Sequence, residues 1–381
     1  MPEKVSVLFV IPAVGVDASI IEETRRGILA QTYPQSLIEV VQVQYMPSAP
    51  GGHAAALNAA REGVTGEFVV ALEPGVLWGG HKIERQIEQL QAHPNQEGSV
   101  HQMTLRGDTG KARALDFAEI RAYGPRIGCF LKLPWGPGAA MLHKDVVGQL
   151  GAYRNVEEVL WEYAVRLVNR GHTLGLVEED LAVWHVDTAV ENARSLIPEQ
   201  VRHPFLKTYL DRTAGPDLFR GNRLVSEPDG QLVLAALYQK NDDLAASHTI
   251  CQEVGQTTAA PQASYWHGMV HRREPDFSNA RGWFGRAEGL GALPDMYQEV
   301  ARLLQRVLQM PEYGAARDAA LAFLRHLQEL GNWDSIYFLD LCERCLQEDS
   351  PEIRRLLEEV QEVEFNALFD WTYRQAVDAG Q

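Results

Sequence analysis

Residues 5–11 read VSVLFVI, an unbroken apolar run rich in β-branched side chains and closed by Pro12. Such a run suits a strand buried on both faces, because neither side offers polar groups to water. An amphipathic stretch follows from about Ser19 to Ala30 and breaks at Pro34. IEVVQVQY at 38–45 makes a second strand, a Pro/Gly loop leads into a short helix from about His53 to Glu62, and EFVVAL at 67–72 makes a third. Residues 81–92 are helical again. Strands alternating with helices predict an α/β fold, a mostly parallel, Rossmann-like sheet with helices on both faces.

Residues 100–135 show no clear period. From Gly136 the pattern resumes as a strand, helices near 144–150 and 157–170, and strands at 173–177 and 181–184; residues 186–212 read as helical. GNRLVSEPDG at 221–230 has the composition of a linker. Beyond it helices are predicted at 232–253, 262–272, 278–287, 295–309, 312–329, 336–347 and 351–379. At 381 residues the chain exceeds one typical core. The expected division is an α/β domain over 1–222, a linker over 223–231 and an all-helical domain over 232–381.

The net charge of -16 argues against a nucleic-acid or anionic-membrane surface, since both need clustered Lys and Arg. Cys342 and Cys345 form a lone CxxC with no second pair to complete a zinc site, and read as two helix residues rather than a metal or redox centre. No stretch approaches the roughly 20 apolar residues of a membrane span. The opening MPEKVSVLFVIPAV lacks a basic n-region and a cleavage site, so the expectation is a soluble, cytoplasmic protein.

Four segments carry a resemblance. They are VSVLFVIPAV, QTYPQSLIEVVQV, GGHAAALNAAREGVTGEFVVALEPGVLW over 51–78, and GPGAAMLHKDVVGQLGAY with WEYAVRLVNRGHTLGLV over 136–177. In order and spacing, the stretch 5–185 resembles the inverting glycosyltransferases of family two, which have the GT-A fold. The resemblance implies a nucleotide-sugar donor, an acceptor that the sequence does not identify, and a divalent cation, Mg or Mn. It places donor contacts at Pro12, Ala13, Gly52, Asn58 and Glu73, a cation at Glu73 and His185, and a catalytic base at Glu157, Glu158 or Glu162. The physics is compatible. Ligands of open parallel sheets sit beyond the carboxyl ends of the strands, a helix N-terminus suits a phosphate, and a sugar hydroxyl needs a carboxylate base.

The departures are as informative. The turn after the third strand reads LEPGV, with Gly75 where the family has its metal-binding aspartate. The second strand ends through Gln42 and Gln44 without an acid, and Val159 and Leu160 occupy the place of the family's acid pair. His185 is open to a second reading as a surface histidine, and Glu73 as a solvated turn carboxylate. The alternative to transfer is a catalytically degenerate domain that binds a nucleotide, a sugar or a protein partner. Oligomeric state is not legible.

The second half holds YWHGMVHRREPDFSNARGWFGRA at 265–287, where His267 and His271 share one helix face. This cluster, with WDSIYFLDLCE and QEVEFNALFDWTY nearer the end, resembles a helical family of unknown function and so implies no activity. A pocket bordered by His267, His271, Arg272, Asp276, Asn279 and Glu364 is one reading, with Glu343 or Glu364 completing a zinc or iron site. The other is a buried polar network, with Arg272 paired to Glu364, that locks a helix hairpin onto the C-terminal helices. The absence of the HExxH glutamate favours the network.

Overall fold

The computed structural model describes residues 3–107, 112–186, 194–213, 215–314, 316–348 and 350–377. The chain divides into two compact units, Met1–Glu191 and Asn192–Gln381. Among the described residues no helix is long and apolar enough to cross a membrane.

The first unit runs β1 (Val5–Pro12), α1 (Ala18–Leu29), β2 (Ile38–Tyr45), α2 (Gly52–Glu62), β3 (Phe68–Leu72), β4 (Val76–Trp78), α3 (Lys82–Ala92) and β5 (Gly98–Gly107). It continues through β6 (Ala112–Leu115), α4 (Ala118–Tyr123), α5 (Pro125–Leu131), β7 (Ala140–His143), α6 (Lys144–Leu150), α7 (Val159–Asn169) and β8 (Leu174–Val186). The eight strands form one sheet in the order β2-β1-β3-β7-β5-β8-β4, with β6 on β5. β1 is parallel to both β2 and β3, Val5 pairing with Ile38 and with Phe68, and β5 is parallel to β8. β7, β4 and β6 pair antiparallel with their neighbours. Val5 and Val7 through Ile11 are buried, as the apolar run requires of a strand covered on both faces.

The parallel triplet is pinned at its entry end by one carboxylate. Ser6 Oγ of β1 donates to Glu39 Oε2 of β2 at 2.5 Å, Thr65 N donates to the same oxygen at 3.0 Å, and Thr65 Oγ1 reaches Oε1 at 2.8 Å. Burial acts to raise the Glu39 pKa, but these hydrogen bonds and Lys4 outweigh it and hold the carboxyl at about 2. All three strands therefore begin in register and release their outgoing loops along one edge.

The second unit is helical: α8 (Pro204–Leu210), α9 (Gly215–Leu218), α10 (Glu227–Lys240), α11 (Leu244–Val254), α12 (Ala260–Arg273), α13 (Phe277–Arg286), α14 (Leu293–Val307), α15 (Arg317–Leu330), α16 (Ser335–Glu348) and α17 (Pro351–Ala376). The helix expected over 232–253 is two, because Asp242 turns into positive φ at 60° and Asp243 caps α11. Among the described residues of 186–212, only α8 is helical.

The boundary lies upstream of the expected linker at 223–231. His203 exchanges two hydrogen bonds with the Asn241 side chain (2.9 and 3.0 Å), Tyr238 donates to Asp211 at 2.9 Å, and Asn222 donates to Tyr373 at 2.8 Å. The described residues of 203–222 are thus fastened to the helical unit. The linker composition misleads because SEPDG is a helix start: Ser226 caps α10, whose first turn contains Pro228.

Candidate functional site

The outgoing ends of β1, β2 and β3 carry the loops 13–17, 46–51 and 73–75. Ala13 N donates to Tyr45 O at 2.7 Å, which extends the β1–β2 ladder one step beyond Pro12. Val14 and Met46, 57% and 47% exposed, stand at the starts of two of these loops. Gly51 adopts φ +68°, and a Cβ on Gly52 would lie 2.6 Å from Met46 O, so both positions need glycine for the loop to enter α2. The Gly52 amide itself donates to Ala49 O at 2.9 Å and is used in this turn.

At the mouth of α2, His53 stacks on Tyr45 with ring centroids 5.4 Å apart. Its Nε2 lies 3.1 Å from Glu73 Oε1, a close contact outside hydrogen-bond geometry. Burial, then the charge of Glu73, raises the Tyr45 hydroxyl pKa. The turn that follows Glu73 is fixed from two sides: Gly75 N donates to Thr24 Oγ1 at 3.0 Å and Gly75 O accepts from His185 N at 2.9 Å. Gly75 has φ +90°, a conformation closed to aspartate without strain. His185 thus sits beside the turn through its backbone, and its side chain is exposed. Among the described residues, no group of three His, Cys, Asp or Glu side chains closes on Glu73.

Other expected site residues are built into packing. Asn58 donates from Nδ2 to Tyr153 O at 3.0 Å and accepts from Tyr153 N at 2.8 Å, so its amide clamps α2 to the loop before α7. Glu162 is fully buried between Arg166 Nη2 at 2.9 Å and Arg154 Nη1 at 3.1 Å. Arg166 also donates to the carbonyls of Leu150 and Ala152 at 2.9 and 2.8 Å. This carboxylate braces the 150–154 loop and does not face solvent. Glu157, exposed, and Glu158, half-buried, lie in the turn that opens α7. Beneath that helix, a cavity of about 40 Å³ lies among Val69, Ala71, Tyr153 and Tyr163, room for a water and not for a nucleoside.

In the helical unit the expected pocket residues separate into two groups. Arg272 and Glu364 are buried and paired, Nη1 to Oε1 at 3.0 Å, and Tyr265 donates to Glu364 at 2.7 Å while accepting from Trp333 Nε1 at 2.6 Å. This is the expected polar network joining α12 to α17, and it engages both Glu364 oxygens. Asp276 caps α13 by accepting from Asn279 N at 3.2 Å. His267 and His271 belong to the other group, whose third member is His248 of α11. Burial, with the neighbouring imidazoles, pushes His267 down to about 3. Cys342 and Cys345 are buried thiols, and burial pushes Cys342 up to about 12.

Tyr45, His53, Tyr153 and His248 escaped the sequence reading. His53 had a signal, since it follows two glycines at a helix start. His248 lies on a different helix from the HxxxH pair, so only the tertiary fold brings it in.

No family model matches the chain, and no curated protein matches it in sequence. Among solved structures the chain is similar to S. aureus TarS, with 12% identity and TM-score 0.45 over 74% of this chain and 54% of TarS. It is similar to TarS 1–349 in complex with UDP-GlcNAc, with 12% identity and TM-score 0.48 over 74% of this chain and 90% of the other. It is also similar to the mannosyltransferase PcManGT from Pyrobaculum calidifontis in complex with GDP-Man and Mn2+, with 16% identity and TM-score 0.40 over 74% of this chain and 87% of that one. The chain spans about half the length of full TarS. At these scores the likeness assigns no role to any residue.

Proposed function

We propose that the first unit is a glycosyltransferase-like domain that takes a nucleotide sugar at the carboxyl edge of β1, β2 and β3 and passes the sugar to an acceptor. The observation that carries the reading is the parallel β2-β1-β3 set, whose three outgoing loops surround Tyr45, His53 and Glu73. The exposed apolar residues Val14 and Met46 suit the face of a base, beside Pro12 and Ala13. The N-terminus of α2, with His53 in its first turn, suits the diphosphate.

Glu73 and His185 are the side chains left for Mg2+ or Mn2+. With Glu73 already against His53, Gly75 supplying no carboxylate and no third ligand among the described residues closing on the turn, they fit a cation poorly. In the proposed chemistry the departing diphosphate is therefore met by the α2 terminus, with His53 as a hydrogen-bond donor. Glu157 or Glu158, in the turn before α7, is the proposed base that removes the acceptor hydroxyl proton.

A second reading, a nucleotide-binding or scaffold domain without turnover, is favoured by Asn58 and Glu162 being committed to packing. Thermal unfolding with nucleoside diphosphates and nucleotide sugars, with and without Mn2+, tests the shared claim of binding. Stabilisation of about 2 kcal/mol or more at saturating ligand is the expected result. A flat response to all of them rejects both forms of the reading. Release of nucleoside diphosphate in the presence of acceptor then separates transfer from scaffold.

A further inference from the structure

Three imidazoles converge inside the helical unit, and none of them is a residue the proposed transfer uses. His248 comes from α11, and His267 and His271 come from successive turns of α12; one ring nitrogen of each lies within 4.8 Å of the others. The ring centroids are 4.4 Å apart for His248 and His267, 5.1 Å for His248 and His271, and 4.8 Å for His267 and His271. His267 is 1% exposed, and neither of its ring nitrogens has a hydrogen-bond partner among the described residues. A buried imidazole with both nitrogens unanswered is uncommon unless something else takes a lone pair. Trp283 stacks on the same ring at 4.0 Å and fixes its plane.

The surroundings have the form of a ligand shell. Nδ1 of His271 is 3.2 Å from Glu274 Oε2, so a carboxylate backs one imidazole and leaves its Nε2 to face a ligand. That Nε2 is 3.1 Å from Asn279 Nδ2, an amide that a bound ion would displace. We propose that His248, His267 and His271 form a site for one divalent transition-metal ion, Zn2+ foremost, with a fourth position open to water. Three nitrogen ligands suit zinc, cobalt or nickel, whereas magnesium and calcium require oxygen. Tetrahedral coordination with bonds of about 2.0–2.1 Å sets ligand nitrogens about 3.3 Å apart, so the rings close by about 1.5 Å at most on binding. His248, half-buried on α11, has the freedom to make that adjustment.

The test is titration of the metal-stripped full chain with Zn2+ by calorimetry and with Co2+ by visible absorption. The expected result is one equivalent lost in both His248→Ala and His267→Gln, retained in His81→Ala, with the intense bands of four-coordinate Co2+ in wild type only. Glu274→Gln is expected to weaken Zn2+ by about 10–100-fold. Because His267 is buried, circular dichroism accompanies each variant; His248→Ala, at a half-buried position, decides the matter if the other variant unfolds. A wild type that takes up no Zn2+ at micromolar concentration overturns the proposal. So does a folded His248→Ala protein that binds the same equivalent as wild type.

Discussion

Nε2 of His53 lies 3.1 Å from Oε1 of Glu73, joining the first turn of α2 to the turn that leaves β3. Both side chains are about one-quarter exposed, so the contact is reachable from the edge where the parallel strands end. A partly exposed pair of this kind contributes about 0.5 kcal/mol to folding. Glu73→Ala is therefore expected to leave the melting temperature nearly unchanged while altering the stabilisation given by a nucleoside diphosphate. Parallel melts of wild type and variant, with and without the nucleotide, check this. Equal ligand stabilisation in both proteins removes Glu73 from the site.

Asn58 answers both main-chain groups of Tyr153, and that pair of bonds holds α2 against the loop before α7. Asn58→Ala leaves two partly buried backbone groups without partners, a loss of about 2 kcal/mol. Urea denaturation reads the change as a lower midpoint at constant slope. A variant as stable as wild type contradicts the clamp.

Glu162 distinguishes a brace from a base. With Arg166 and Arg154 on its two oxygens, Glu162→Gln strands a buried guanidinium and is expected to cost about 3 kcal/mol. Glu157→Gln and Glu158→Gln, at the turn that opens α7, are expected to change stability by less than about 0.5 kcal/mol. If the proposed transfer occurs, its loss tracks one of those two. Stability measured by urea for all three variants decides the assignment.

The entry-side lock makes a statement about pH. The Glu39 carboxyl, held at about 2 against an ordinary 4.5, binds fewer protons when folded than when unfolded. Its contribution is complete above about pH 4.5 and is lost as pH falls through the folded value. Allowing for partial solvent screening, that contribution is about 2 kcal/mol. Glu39→Gln should therefore lower stability at pH 7 and flatten the pH dependence between about 5 and 2, measured by urea midpoints across that range. An unchanged acid slope in the variant contradicts the lock.

Lys82 of α3 is fully buried, its ammonium 4.0 Å from the Trp78 ring centroid and without a hydrogen-bond partner among the described residues. Burial drives its pKa well below 10.5, so the folded chain holds fewer protons than the unfolded chain below that pH. Here the sign is opposite to that of a lysine gaining a partner: stability rises with pH towards 10.5. Lys82→Met is expected to raise stability by about 1–3 kcal/mol and to remove that slope. A destabilised variant would show that the lysine holds the fold together through its contact with Trp78.

The fold was largely readable because its central strands are apolar on both faces, a pattern that few alternatives satisfy. β5 hid in the stretch without a clear period because it mixes His101, Gln102, Thr104 and Arg106 into its run, and its pairing with β8 shifts register around Gln102. The boundary was misplaced because SEPDG, a linker by composition, is the capped start of α10. The site was less readable than the fold. Glu73 and its neighbours could be placed from segment order, but the commitments of Asn58 and Glu162 depend on partners far away in sequence or on burial. His248 reaches its partners only through the packing of α11 on α12.

Hydrogen exchange on the full chain, with and without a nucleotide sugar, tests most directly where the ligand sits. Protection is expected in the loops 13–17 and 46–51, in the first turn of α2 and at 73–75, with little change elsewhere in the sheet. Protection confined to the opposite edge, or none at saturating ligand, would contradict the carboxyl-edge site.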